Sequence, residues 1–121
     1  MILCASVAGT RVDDATPRAV DAVPLDAIIE RAGTVGLLKI DAEGSEYPIL
    51  ATSRRLDRVE AIVGEYHEVD AVDASMRVPG LADWTGDALM DLLEERGFEI
   101  AVRPVGRVGL FRAIRTPAPT R

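Results

Sequence analysis

Acidic side chains gather directly after an apolar run in "GLLKIDAEGSEYPIL", residues 36–50. This stretch holds three acids and the only lysine of the chain: Lys39, Asp41, Glu43 and Glu46. Carboxylates at such a position act as general bases, bind divalent cations or accept hydrogen bonds from hydroxyl and amino groups of a ligand. Which role applies depends on the elements that hold the carboxylates and on the polar groups beside them.

A second pair of ionisable residues follows another apolar run, "VEAIVGEYH", residues 59–67. Glu65 and His67 occur at its end, and His67 is the only histidine of the chain. An imidazole exchanges protons near neutral pH and also ligates metal ions. A single histidine in a loop is more often exposed and without a role, so His67 is a candidate only together with its acidic neighbours.

The apolar pattern predicts alternating strands and helices along the chain. Pro24 and Gly33 fit the start and end of the first helix, and Pro48 fits the first turn of the second. Thr85 fits the N-cap of the third. The predicted elements are a short strand at 2–8, a loop at 9–22, a helix at 23–33, a strand at 35–40, a helix at 45–56 that begins near Ser45 or Glu46, a strand at 59–66, a long polar loop at 67–84, a helix at 85–97, a hairpin of strands at 98–105 and 108–114, and a frayed tail at 116–121.

This order predicts an α/β domain with a mostly parallel sheet, helices on both of its faces and a C-terminal antiparallel hairpin. Ligands of such sheets bind beyond the carboxyl ends of the strands. Neighbouring strands lie about 4.8 Å apart, so Asp41 and Glu43 after one strand can share a site with Glu65 and His67 after the next. Gly44 permits the tight turn that leads from strand to helix.

Three functional interpretations of this edge remain open from the residues alone. Asp41 or Glu43 can serve as a general base, with His67 as a second proton carrier. Asp41, Glu43, Glu65 and His67 can instead hold a divalent cation. Asp41 can also accept hydrogen bonds from a hydroxylated or aminated ligand. The assignment that we favour contains no metal ligand.

A purely structural interpretation competes with these three. Glu43 and Glu46 can simply occupy a helix start, where the helix dipole favours acids by about 0.3–1 kcal/mol. By strand alternation Lys39 shares a face with Asp41, and we expect it to form a structural ion pair. The pair Arg54–Arg55 is expected on a solvated face of the second helix.

Composition narrows the class of protein. The 121 residues suit a single domain, and the net charge of −6 argues against binding to nucleic acid, which needs a basic surface. No apolar run approaches the roughly 18–20 residues that cross a bilayer. The single cysteine cannot form an internal disulfide and fits a cytoplasmic protein. Glycine-rich phosphate loops, nucleophile elbows and zinc-type spacings are absent.

Several motifs together resemble one family. "PLDAII" precedes "LLKIDAEGSEYPIL", and "VEAIVGEYH" and the later "GF" at 97–98 follow. This combination is similar to the C-terminal half of an FkbM-type methyltransferase over residues 24–115. The resemblance implies part of a class I, Rossmann-like fold that uses S-adenosylmethionine to methylate a hydroxyl of a sugar or natural product. The strand at 35–40 would be the fourth of seven, with its end beside the transferred methyl group.

The resemblance also implies roles for individual residues. Asp41, Glu43 and His67 would be catalytic, with Asp41 or Glu43 positioning or deprotonating the acceptor hydroxyl. Asp41 would also contact the cofactor, and Lys39 and Glu65 would bind the substrate. The partner would be a hydroxylated small molecule, and the protein would be cytoplasmic.

The family's glycine-rich first strand and its ribose-binding acid have no counterpart in the 121 residues. We therefore expect the first strands of the fold to be missing and S-adenosylmethionine to bind weakly. The strand at 35–40 would then be an open sheet edge, unless "ILCASVA" or a second chain covers it. Self-association through this edge is expected, and a non-catalytic interaction module is the alternative to an enzyme.

Overall fold

The fold is a five-stranded sheet with helices between its strands. The computed structural model describes residues 2–6, 21–70, 72 and 74–117. Within these ranges the elements are β1 (Ile2–Ser6), α1 (Leu25–Ala32), β2 (Val35–Asp41), α2 (Glu46–Thr52), β3 (Val59–His67), α3 (Gly86–Glu95), β4 (Phe98–Val105) and β5 (Val108–Arg115), with 3₁₀ turns at Leu56–Arg58 and Ala74–Met76. The predicted order of elements is confirmed. The expectations for residues 7–20 and 118–121 lie outside the described residues.

The sheet is mixed, in the order β1-β2-β3-β5-β4. Strands β1, β2 and β3 are parallel, whereas β5 runs antiparallel to both β3 and β4. The predicted C-terminal antiparallel hairpin is confirmed, and the sheet that was expected to be mostly parallel is mixed, with two parallel and two antiparallel strand pairs. Ile2–Ser6 pairs along Leu37–Asp41, so "ILCAS" covers the strand that would otherwise be an open edge.

Burial alternates along the strands and shows that the described helices cover only one face of the sheet. Leu38 and Ile40 of β2 and Phe111 of β5 are buried, whereas Lys39 and Arg112 on the opposite face are exposed. Buried side chains of all three helices join the same core: Ile29, Tyr47, Leu50, Leu89, Met90, Leu92 and Leu93. The prediction of helices on both faces is wrong for the described residues, because the apolar stripes of these helices share one core.

The helix ends follow local signals. Pro24 precedes α1 and Gly33 ends it with φ of 83°, while α2 begins at Glu46, all as predicted. The hydroxyl of Thr85 accepts a hydrogen bond from the backbone N–H of Ala88 over 3.2 Å, which confirms the cap of α3.

Helix α2 is shorter than the pattern predicts. It ends at Thr52, and Arg54 and Arg55 lie beyond it. The carboxylate of Asp26 accepts hydrogen bonds from the hydroxyl of Ser53 and the N–H of Arg54, which draws the chain out of the helix toward α1. The expectation that Arg54–Arg55 occupies a helix face is therefore wrong.

The long segment between β3 and α3 is tied down near its end. Trp84 is buried and its ring stacks on that of Tyr47 with centroids 5.5 Å apart. The backbone of Trp84 also accepts a hydrogen bond from the N–H of Val69 over 3.0 Å. Aromatic stacking thus fixes the segment against α2, beside the carboxyl ends of β2 and β3.

No helix within the described residues is long and apolar enough to span a membrane.

Candidate functional site

The turn after β2 carries backbone strain. The N–H of Ser45 donates to the carbonyl of Ala42 over 3.0 Å, so this N–H is not free for a ligand. Gly44 has φ of 102°, which confirms its predicted role in the turn, and Glu43 has φ of 51°. A left-handed conformation costs a side-chain-bearing residue about 1–2 kcal/mol, and such strain concentrates at functional sites.

Glu46 is the residue that joins the two halves of the site. Its side chain is 0% exposed. Oε2 accepts a hydrogen bond from the N–H of Gly44 over 2.9 Å, and Oε1 accepts one from the N–H of His67 over 2.7 Å. A buried carboxylate is stable only where donors surround it. Glu46 therefore ties the turn after β2 to the end of β3.

His67 lies among three carboxylates at the end of β3. Its Nδ1 is 3.1 Å from Oε1 of Glu46, and its Nε2 is 3.5 Å from Oε2 of Glu43 and 3.9 Å from Oε1 of Glu65. Only 21% of the His67 side chain is exposed, which differs from the exposed position expected of a lone histidine in a loop. The structure brings His67, Glu43 and Glu65 together, as the positions of the strand ends predict.

This acidic surrounding changes the basicity of the imidazole. Burial on its own lowers the pKa of His67. The hydrogen bond to Glu46 and the charges of Glu46, Glu43 and Glu65 act in the opposite direction, and the net effect is a pKa above the usual 6.5. The raised pKa makes His67 a stronger base than a free imidazole.

Asp41 completes the cluster from the end of β2. Its Oδ1 is buried and has no hydrogen-bond partner among the described residues. Asp41, Glu43 and His67 each place one possible ligand atom within 4.8 Å of the others. The cluster can accept hydrogen bonds from a ligand or, with a small contraction, surround a cation.

Lys39 lies beside this cluster but outside its ion pairs. It is exposed, and no ion pair among residues 2–6, 21–70, 72 and 74–117 includes it. The expected structural ion pair of Lys39 is thus not formed there. A pocket of about 450 Å³ lies on the face of the sheet opposite the helices, which we call the open face. It is lined by Lys39, Asp41 and Glu65 together with Ile40, Val63, Gly64, Leu110 and Phe111.

The predicted site residues thus lie together at or near the carboxyl ends of β2 and β3: Lys39, Asp41, Glu43, Glu65 and His67. Sequence reasoning missed Glu46, which it placed at a helix start without a partner. The signal was its position two residues after Gly44, from which a carboxylate can reach back to the turn. Nothing local indicated that the same carboxylate would meet the only histidine.

Comparison with known proteins places the chain in a family. No curated protein and no solved structure matches it. The sequence profile of the Methyltransferase FkbM domain matches residues 5–100, which is most of the chain and overlaps the stretch at 24–115 in which the motifs occur. The cluster at the carboxyl ends of β2 and β3 lies inside this match. The chain belongs to the FkbM methyltransferase domain family.

Proposed function

We propose that this domain takes part in the transfer of a methyl group from S-adenosylmethionine to a hydroxyl of a small acceptor, a sugar or natural product. The observation that carries the proposal is the convergence of Asp41, Glu43 and His67 at one sheet edge in a chain of a methyltransferase family. Hydroxyl methylation needs groups that hold the acceptor oxygen and take up its proton, and carboxylates and imidazole do both.

The residues present fit a cofactor of this chemistry. Oδ1 of Asp41 is a buried acceptor without a donor, which suits a hydroxyl or ammonium group of the cofactor. The pocket of about 450 Å³ beside it falls within the range of roughly 300–1,000 Å³ typical of small-ligand sites. When bound, S-adenosylmethionine supplies an electrophilic methyl group, whose bond to sulfur breaks with both electrons going to the sulfur.

The side chains of the site then divide the work on the acceptor. Asp41 or Glu43 positions the acceptor beside the methyl group through its polar groups. His67 lies within reach of Glu43 and takes part in moving the proton. Lys39 and Glu65 line the pocket and contact polar groups of the substrate.

Titration of the ¹⁵N-labelled chain with S-adenosylmethionine tests the proposal. We expect weak binding, with amide shifts concentrated at residues 41–44 and 65–67. Asp41→Asn should weaken binding roughly tenfold or more, because a hydrogen bond to a charged group contributes about 1.5–3 kcal/mol. Glu99→Gln is the control, since Glu99 is exposed at the opposite end of the sheet. Shifts located elsewhere, or none at millimolar cofactor, would contradict the proposal.

A second candidate is a non-catalytic module that associates through its sheet. The observation in its favour is the open face, where Val105, Leu110 and Ile114 are 67%, 53% and 47% exposed. Binding of the cofactor at residues 41–44 favours the enzyme, whereas association without any cofactor shift favours the module.

A further inference from the structure

Glu46 contacts both the backbone and the imidazole ring of His67. Its Oε1 accepts from the backbone N–H of His67 over 2.7 Å and lies 3.1 Å from the ring Nδ1 of the same residue. The carboxylate is fully buried, and its other oxygen is held by the N–H of Gly44. Both the position and the orientation of the imidazole are therefore set by one immobile group.

This contact decides which ring nitrogen carries the hydrogen. Both oxygens of Glu46 accept backbone N–H groups, and with Glu46 as acceptor at Nδ1 too a neutral His67 carries its hydrogen on Nδ1. The lone pair then lies on Nε2, which is 3.5 Å from Glu43 and 3.9 Å from Glu65. Nε2 thus lies on the side of the ring that faces Glu43 and Glu65.

The groups that face His67 are all acidic. They are Glu46 on Nδ1 and Glu43 and Glu65 toward Nε2, with Asp41 in the same cluster, and no lysine or arginine forms an ion pair with them within the described ranges. A proton that arrives on Nε2 creates an imidazolium surrounded by negative charge. Such surroundings favour the protonated ring and make Nε2 an effective proton acceptor.

We infer that Glu46 and His67 form a carboxylate–imidazole pair in which Glu46 is a positioning residue and His67 is the general base of the site. The inference rests on the proposed function, because it assigns the acceptor proton to Nε2 of His67 rather than to Asp41 or Glu43. As the acceptor oxygen bonds to the methyl carbon, its proton moves to Nε2, and the resulting imidazolium is stabilised through Nδ1 by Glu46.

The single histidine makes the pair directly observable. In ¹⁵N-detected NMR of the full chain at a pH above the pKa of His67, we expect the neutral ring to carry its hydrogen on Nδ1 and to leave Nε2 bare. Glu46→Gln should lower the pKa of His67 by roughly one unit or more, because the charge at Nδ1 is lost. Glu99→Gln, which removes an exposed carboxylate at the opposite end of the sheet, is the control and should leave both the pKa and the tautomer of His67 unchanged.

The outcomes separate the pair from the proposed function. A neutral wild-type ring with hydrogen on Nε2 overturns the pair, and this measurement decides even where Glu46→Gln fails to fold. A folded Glu46→Gln variant with an unchanged His67 pKa overturns it as well. The expected tautomer without any cofactor shift at residues 41–44 overturns methyl transfer and leaves the pair intact.

Activity supplies a second test. Where transfer to a hydroxylated acceptor is measured, the rate should rise with pH through the pKa of His67 and fall about 10²–10⁴-fold in His67→Gln. The midpoint should move to lower pH in Glu46→Gln. A pH profile that does not move with this variant would overturn the assignment of His67 as base.

Discussion

The carboxylate of Asp26, at the start of α1, accepts a hydrogen bond from the hydroxyl of Ser53, just after α2, over 2.5 Å. The same carboxylate accepts the backbone N–H of Arg54 over 2.8 Å. Asp26, which lies in the "PLDAII" segment of the family resemblance, therefore has a structural function: it joins α1 to the chain just after α2.

Replacement of Asp26 by asparagine should destabilise the fold. We expect the free energy of unfolding in urea to fall by about 1–3 kcal/mol, because a hydrogen bond to a charged group is weakened. Asp91→Asn on the exposed side of α3 is the control and should have little effect. Equal stability of the two variants would show that the contact between α1 and α2 does not support the fold.

The pH dependence of the Asp26 contribution has a definite sign. Burial raises the pKa of Asp26. The hydrogen bonds from Ser53 and Arg54 and the charge of Arg55 lower this pKa by more, so the net shift is downward. Because the pKa of Asp26 is lower in the folded state, its carboxylate stabilises the fold at pH values above the unfolded-state pKa of 3.8. This stabilisation is lost as the pH falls through the folded-state pKa. Acid unfolding monitored by circular dichroism should therefore be less steep in Asp26→Asn.

His67 should produce the opposite dependence near neutral pH. Its pKa is raised above 6.5, so protonation stabilises the folded state below 6.5, and the effect disappears as pH rises through the folded pKa. The free energy of unfolding should decrease from about pH 6 upward. His67→Gln should remove this slope, since no other histidine exists. Stability that increases with pH over this range would contradict the acidic surroundings of the ring.

Tyr66 leaves no room for a side chain at Gly109. A Cβ built on Gly109 would lie 2.2 Å from Cζ of the Tyr66 ring, and one on Gly86 would lie 2.5 Å from the same atom. Gly109→Ala should cost about 1–3 kcal/mol in urea unfolding, as overpacking does. A double-mutant cycle with Tyr66→Leu should recover part of the loss. Strict additivity of the two changes would rule out direct steric contact as the cause.

The open face predicts association that depends on aliphatic side chains. We expect sedimentation velocity to show concentration-dependent self-association of the chain, reduced by Leu110→Lys or Ile114→Lys, because each places a charge on the exposed apolar surface. Val23→Lys changes an equally exposed aliphatic residue outside the sheet and is the control. A wild-type monomer at high concentration would contradict this prediction.

Local signals were sufficient for most of the elements and for the position of the site. Pro24, Gly33 and Thr85 act on their own helix ends, and strand ends bring Asp41 and His67 to one edge whatever the remaining packing is. These features depend on neighbours in sequence or on the general geometry of parallel sheets, which is why patterns predict them.

The features that patterns missed depend on contacts between distant segments. Glu46 meets His67 across 21 positions, and Asp26 meets Ser53 across 27. Hydrophobic periodicity does not predict such contacts. They are the reason that the carboxylate of Glu46 is buried and that α2 ends early. The open face was missed for a related reason, since the apolar run of β2 has the same composition whether one or both faces are covered.

The reach of Glu46 from the turn to β3 also bears on how this sequence can change over time. The carboxylate of Glu46 accepts the backbone N–H groups of Gly44 and His67, so a replacement of Glu46 leaves both N–H groups without their acceptor, whereas a side-chain replacement at Gly44 or His67 keeps its own N–H in place. Glu46 and His67 also contact through their side chains, over 3.1 Å. A variant library should therefore show epistasis between Glu46 and His67, with the double replacement little worse than the replacement of Glu46 alone. Drift at this end of the sheet is limited chiefly by Glu46.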